Sequence, residues 1–145
     1  MKRILALILV AVLALTALVS CKKPSENNDL EDIKAAGKIV VGMECAYAPY
    51  NWTTTTENAD TVAIANNAGA FADGYDVQIA KLIAAEIGVE LVIKAIEWDG
   101  LIPALEAGEI DMIIAGMSPT AEREEQVDFT DCYYNSNLVI IYKKG

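Results

Sequence analysis

The chain has 145 residues, enough for one domain, and its net charge of −10 comes without any basic cluster, which makes nucleic acid a poor partner. It has no histidine, and its three cysteines include no Cys-x-x-Cys pair, so no metal or haem cofactor has support. No unit of about 20–50 residues repeats, which sets solenoids and propellers aside.

The first element stands apart from the fold. Lys2 and Arg3 precede an apolar run over residues 4–19 that only Thr16 interrupts. A basic head, an apolar core and a small residue at the end are the pattern of a secretory signal peptide. The segment Leu18-Val19-Ser20-Cys21 resembles the bacterial lipobox. That resemblance implies removal of residues 1–20 and acylation of Cys21, with palmitate among the chains. An uncleaved anchor helix is the alternative, and in either case Lys22 onward lies outside the cytoplasmic membrane. More than one acyl chain is what stable anchoring requires. Residues 21–29 are polar, carry Pro24 and read as a lipidated tether. Cys45 and Cys132 remain; outside the cytoplasm two cysteines can pair, but spacing alone does not place their Cα atoms.

The domain proper is expected over residues 30–145. Asp29 can cap a helix that runs to Ala36 and stops at Gly37. Residues 38–43 (Lys-Ile-Val-Val-Gly-Met) form an apolar run of strand length, as found in parallel sheets buried on both faces. Residues 44–74 read as long and irregular. Residues 75–87 give the clearest helix, with Val77, Ala80, Ile83, Ala84 and Ile87 on one side and Gly88 as the stop. Residues 89–96 alternate as a strand, and Asp99 can cap a helix over 101–107 with Pro103 in its first turn. A third buried strand is expected at 111–115, a loop at 116–120, a short helix at 121–126 and a last strand at 138–143.

Helices alternating with apolar strands predict an α/β fold of right-handed βαβ units around a mostly parallel sheet. Ligands bind such sheets beyond the carboxyl ends of the strands. Two segments occupy that position, residues 44–50 after the first strand and 116–123 after the third.

Seven segments in order then resemble the family-3 solute-binding proteins, the polar amino-acid receptors of ABC importers. They are Gly37-Lys-Ile-Val-Val-Gly-Met, Tyr47-Ala-Pro-Tyr, Gly74-Tyr-Asp-Val, Trp98-Asp-Gly-Leu-Ile-Pro-Ala-Leu, Gly116-Met-Ser-Pro-Thr-Ala-Glu-Arg, Val127-Asp-Phe-Thr-Asp and the closing Leu138-Val-Ile-Ile-Tyr-Lys-Lys-Gly. The resemblance implies a three-layer, periplasmic-binding-protein-like lobe of type II. It implies an amino acid, an ABC permease subunit and a lipid-anchored place on the membrane as partners, with no catalysis. The family has two lobes joined by a hinge, and this chain stops where the hinge would begin. We therefore expect the first lobe alone, as a fragment.

Carried over residue by residue, Arg123 holds the ligand carboxylate, since a guanidinium fork matches it with two parallel hydrogen bonds. On the residues alone Arg123 can equally pair with Glu122, Glu124 or Glu125. Ser118 and Gly116 match positions that contact the carboxylate and ammonium, although Pro119 departs from the usual apolar residue. Tyr47 matches the aromatic over the ligand side chain and Trp98 a residue across the pocket. Glu44 stands where the family often has Asp and favours a cationic or amide side chain. Tyr50, Tyr75, Asp76 and Asp128 read as packing and capping residues. Residues 53–71 are longer than the family's usual turn. Two other classes remain: an enzyme on the same scaffold, like the cyclohexadienyl dehydratases, and a sensor domain. The first lacks a histidine or close carboxylate pair here, and a cleavable lipobox argues against the second.

Overall fold

The central strand of the main sheet is buried because, after Lys38, its sequence carries apolar or small residues on both faces of the pleat. In the computed structural model, which describes residues 29–136 and 139–144, β1 (Lys38–Met43) lies at the centre. Its neighbours are β6 (Glu90–Ala95) and β7 (Met112–Ile113), both parallel to it, in the order β6-β1-β7. The register pairs Val41 with Ile93 on one side and with Met112 on the other. The pleat turns Gly42 towards Leu101 and Ile110, so Ile39, Val41 and Met43 point to the other face, and all three are fully buried. The fold is α/β with a parallel sheet, as expected.

The helices follow the sequence pattern closely. A helix over Asp29–Ala36 (α1) buries none of its residues, and the compact unit begins within it at Ile33. Tyr75–Ile87 forms α2, which buries Val77, Ala80 and Ala84 in the same cluster as β1. Gly88 stops it, donating its N–H to the Ala84 carbonyl at 2.9 Å. A 3-10 turn at Trp98–Gly100 leads into α3 (Leu101–Glu106). Asp99 does not cap α3: it sits inside that turn, and the cap position falls to Gly100. The last helix, α4, is only Ala121–Glu124, capped by Thr120.

Three expectations need correction. Residues 44–74 are not irregular. They hold four short strands, β2 (Ala46–Tyr47), β3 (Asn51–Thr54), β4 (Val62–Ala63) and β5 (Phe71–Asp73), in an antiparallel sheet ordered β2-β3-β5-β4. Each is too short to show a period, and the Thr-rich composition suits strands as well as loops. The strand expected at 111–115 is shorter because the Asp111 carboxylate replaces a backbone acceptor, taking the Val40 N–H at 2.7 Å. The strand expected at 138–143 does not form over 139–143. Val139, Ile140, Ile141 and Tyr142 are 78–92% exposed, and an apolar run without a neighbour to complete its ladder has nothing to make it a strand. Leu138 lies outside the described residues, as do residues 1–28, where the signal peptide, Cys21 and nearly all of the tether fall.

The segment after β4 folds onto the outer edge of β6. Ile64 bridges Ile93, and the Asn66 side chain exchanges two hydrogen bonds with the Ala95 backbone, at 2.8 and 3.0 Å. On the other flank, no strand among the described residues pairs with the outer edge of β7. Beside β7 runs a groove of about 330 Å³, walled by Ile79 and Ile83 of α2, Leu105 of α3, and Ile113, Met117 and Phe129.

Candidate functional site

The loop that follows the carboxyl end of β1 is fixed by hydrogen bonds at the first turn of α2. The Tyr75 and Asp76 N–H groups, which a helix start leaves unpaired, donate to the carbonyls of Pro49 and Tyr50 at 3.2 and 2.8 Å. This binds the loop that carries Tyr47 to the helix. The Tyr47 ring stacks on Tyr50, with centroids 5.0 Å apart, and its edge reaches Gly116 of the loop after β7. A Cβ at Gly116 would lie 3.2 Å from Tyr47 Cε1, so a side chain there would press on the ring.

Arg123 is held differently from the surface pairing that its three neighbouring glutamates suggest. Its Nη1 donates to the Ser118 carbonyl at 2.8 Å, and its guanidinium carbon lies 5.3 Å from the Trp98 ring centroid. Among the described residues no ion pair joins it to Glu122, Glu124 or Glu125. A guanidinium has five N–H donors, so one bond to Ser118 leaves most of the fork for an anion. The short helix also spends N–H groups on its own cap: the Arg123 N–H lies 2.9 Å from the Thr120 carbonyl and 3.3 Å from its Oγ1.

Five of the six residues singled out in the sequence therefore meet in two clusters, Tyr47 with Gly116, and Arg123 with Ser118 and Trp98. Met117 alone separates the two along the β7 loop. Glu44 shares the β1 loop with Tyr47 and is half-buried, but among the described residues no hydrogen bond or ion pair ties its carboxylate to the other five. The groove beside β7 touches Gly116 and Ser118 but not Tyr47, Trp98, Arg123 or Glu44. It belongs to the flank of the sheet and not to this cluster.

Sequence reasoning missed Tyr133 and gave Asp76 only a packing or capping role. Asp76 is fully buried and does not cap α2; its Oδ2 accepts the Asn51 Nδ2–H at 2.7 Å and its Oδ1 the Tyr133 hydroxyl at 3.1 Å. Burial raises its carboxyl above the ordinary range, against the lowering effect of those two bonds. Tyr133 in turn accepts the Gly116 N–H at 3.2 Å, and burial of its hydroxyl, with Asp76 alongside, pushes its pKa up and keeps it protonated. Only an aspartate among apolar residues at the start of a helix hinted at this. Cys45 and Cys132 are both free thiols, and burial pushes Cys45 up to about 11.

Residues 39–145 match the sequence profile described as bacterial extracellular solute-binding proteins, family 3. The chain belongs to this family. Among similar proteins, the arginine-binding extracellular protein ArtP of Bacillus subtilis is 34% identical over 95% of this chain and 47% of its own length. The probable histidine-binding protein of Campylobacter jejuni is 36% identical over 100% of the chain and 51% of its own. The chain thus spans about half the length of the curated relatives it matches. Among solved structures, the arginine-bound domain 1 of TmArgBP is 38% identical, with a TM-score of 0.59 over 71% of each chain. The ancestral amino acid-binding protein AncCDT-1, a precursor of cyclohexadienyl dehydratase, is 32% identical, with a TM-score of 0.61 over 74% of this chain and 41% of its own. Family-3 members of this kind are binding proteins by name, and the fold seen here is theirs.

Proposed function

We propose that this chain is the first lobe of the substrate-binding component of an ABC importer for a polar amino acid. The observation that carries the reading is the Arg123 cluster. A half-buried guanidinium, held by Ser118 and stacked on Trp98, stands at the carboxyl end of a parallel sheet where its free donors can take a carboxylate. Tyr47 over Gly116 supplies an aromatic wall for the ligand side chain, Ser118 offers its hydroxyl and N–H to the carboxylate and ammonium end, and Gly116 lets the backbone come close. Glu44, beside Tyr47, favours a basic or amide side chain. Relatives named for arginine, histidine and glutamine support that range, while others named for cystine fall outside it.

The protein binds and releases; it has no chemistry of its own. AncCDT-1 is called a precursor of a dehydratase, but its name still describes amino acid binding. Among the described residues no group of three or more histidines, cysteines or carboxylates converges to hold a metal ion. Cys21 carries the lipid that keeps the domain on the outer face of the membrane beside its permease, and residues 21–29 are the tether. Among the described residues no helix is long and apolar enough to cross a membrane.

The test is calorimetric titration of the intact protein with each of the twenty amino acids, repeated with Arg123→Ala. One or a few polar amino acids should bind, and the substitution should abolish the heat. Binding of none, or equal binding by Arg123→Ala, overturns the assignment. Mass spectrometry of the membrane fraction should find residues 1–20 removed and Cys21 acylated.

A further inference from the structure

We infer that Asp76 is a positioning residue for the ligand site, acting through Tyr133 on Gly116 and through Asn51 on the Glu44–Tyr47 loop. The inference rests on the amino-acid-binding reading above, but neither Asp76 nor Tyr133 belongs to the set of ligand contacts named there.

One buried carboxylate faces both loops at once. On one side the Tyr133 hydroxyl donates to Asp76 Oδ1 at 3.1 Å and accepts the Gly116 N–H at 3.2 Å. On the other, Asn51 Nδ2 donates to Asp76 Oδ2 at 2.7 Å, while Asn51 Oδ1 accepts the Cys45 N–H at 2.8 Å. Thr53 Oγ1 completes that side by donating to the Cys45 carbonyl at 2.9 Å. Cys45 needs the support. Its φ of 56° is left-handed, a conformation that a residue with a side chain rarely adopts. Such a backbone persists only where its surroundings fix it.

A hydrogen bond to an ionised group is stronger than one between neutral groups, and a chain of them orders both ends together. Here the ends are Cys45, between Glu44 and Tyr47, and Gly116, against which the Tyr47 ring lies. Loops already ordered lose less entropy when a ligand arrives. The chain of bonds therefore acts on affinity by holding the two walls of the site in register before binding.

The separating experiment is a double-mutant cycle on the intact protein with Tyr133→Phe and Asp76→Asn. Affinity is titrated with each of the twenty amino acids, and amide hydrogen exchange is followed at Gly116. Tyr133→Phe keeps the ring that stacks near Tyr75 and removes only the hydroxyl. Each single variant should raise the dissociation constant roughly fivefold or more, and the double should cost little beyond Asp76→Asn alone, as expected when Tyr133 acts through its bond to Asp76. Gly116 exchange should quicken in Tyr133→Phe without ligand, while the amides of β1 keep their protection. If wild type binds but Tyr133→Phe binds as well as it does, or if the two losses simply multiply, the positioning role is wrong and the binding reading stands. If wild type binds no amino acid, both fall together.

Discussion

Arg123 lies over the face of Trp98, its guanidinium carbon 5.3 Å from the ring centroid, while its Nη1 donates to the Ser118 carbonyl. Trp98 comes from the 3-10 turn after β6 and Ser118 from the loop after β7, so two separate connections converge on one cation. An arginine held this way keeps its fork aimed without an ion-pair partner to compete for it.

This arrangement separates the roles of charge and shape. Arg123→Lys keeps the charge but loses the planar fork, and we expect the ligand dissociation constant to rise about tenfold or more. Trp98→Leu removes a cation–π contact worth about 0.5–1 kcal/mol, so a rise of roughly two- to fivefold is expected. Calorimetric titration of both variants against wild type reads the two effects. Wild-type affinity in Arg123→Lys would mean that the fork does not grip the carboxylate.

The two thiols should react very differently. Cys132 is exposed, whereas Cys45 is buried and pushed up to about 11, so at neutral pH iodoacetamide should label Cys132 and largely spare Cys45. Peptide mass spectrometry after timed quenching distinguishes them. The same shift has a stability consequence. The unfolded chain releases the Cys45 proton from about pH 9, before the folded one does near 11, so this group's contribution to stability is lost as pH rises between them. Urea midpoints at about pH 8 and about pH 11 should show a smaller fall in Cys45→Ala than in wild type.

Asp76 gives a pH dependence at the acidic end. Its carboxyl is raised in the folded protein, so the folded state holds its proton longer than the unfolded state. Stability from this group is therefore greatest below the ordinary carboxylate range and declines as pH rises through it. Asp76→Asn should remove that decline. The difference in denaturation midpoint between the variant and wild type, followed upwards from about pH 3, measures it; a wild type whose difference from Asp76→Asn is constant with pH would contradict the shift.

Gly74→Ala should destabilise the fold by about 2 kcal/mol or more. Gly74 has a φ of 124°, and a Cβ there would overlap the Tyr50 carbonyl oxygen and come within 2.8 Å of Trp52 Cζ3. The Tyr50 carbonyl is the one that receives the Asp76 N–H. Loss in Gly74→Ala should thus appear both in the denaturation midpoint and as weakened ligand binding by the folded remainder.

What could be read in advance depended on how local its cause was. The helix at Tyr75–Ile87 was legible to the residue because thirteen positions carry its period and Gly88 ends it. β1 was legible because the five residues after Lys38 are apolar or small enough to be buried in a parallel sheet. The small antiparallel sheet was not, since strands of two to four residues are set by their partners and not by their own pattern. For the site, the family resemblance named Arg123, Ser118 and Trp98, but only folding shows that Arg123 turns away from its adjacent glutamates. The pairing of Asp76 with Tyr133 spans 57 positions, and nothing within either neighbourhood announces the other. The apolar residues at 139–142 read as a strand because composition reports what a segment prefers, not whether a neighbour is there to receive it.

The docking of Ile64 and Asn66 on β6 gives the sheet a direction of growth. At its carboxyl half β6 already has its outer backbone groups engaged, by the Ala65 N–H on Ile93 and by the Asn66 amide on Ala95. A further strand laid there would have to displace them. Along β7 no such stopper is present among the described residues, and apolar side chains of α2 and α3 wall the space beside it. The sheet is therefore one-sided: inserted residues in the segment that covers β6 would lengthen a surface cover, whereas any added strand has its place beside β7, next to the loop that carries Ser118.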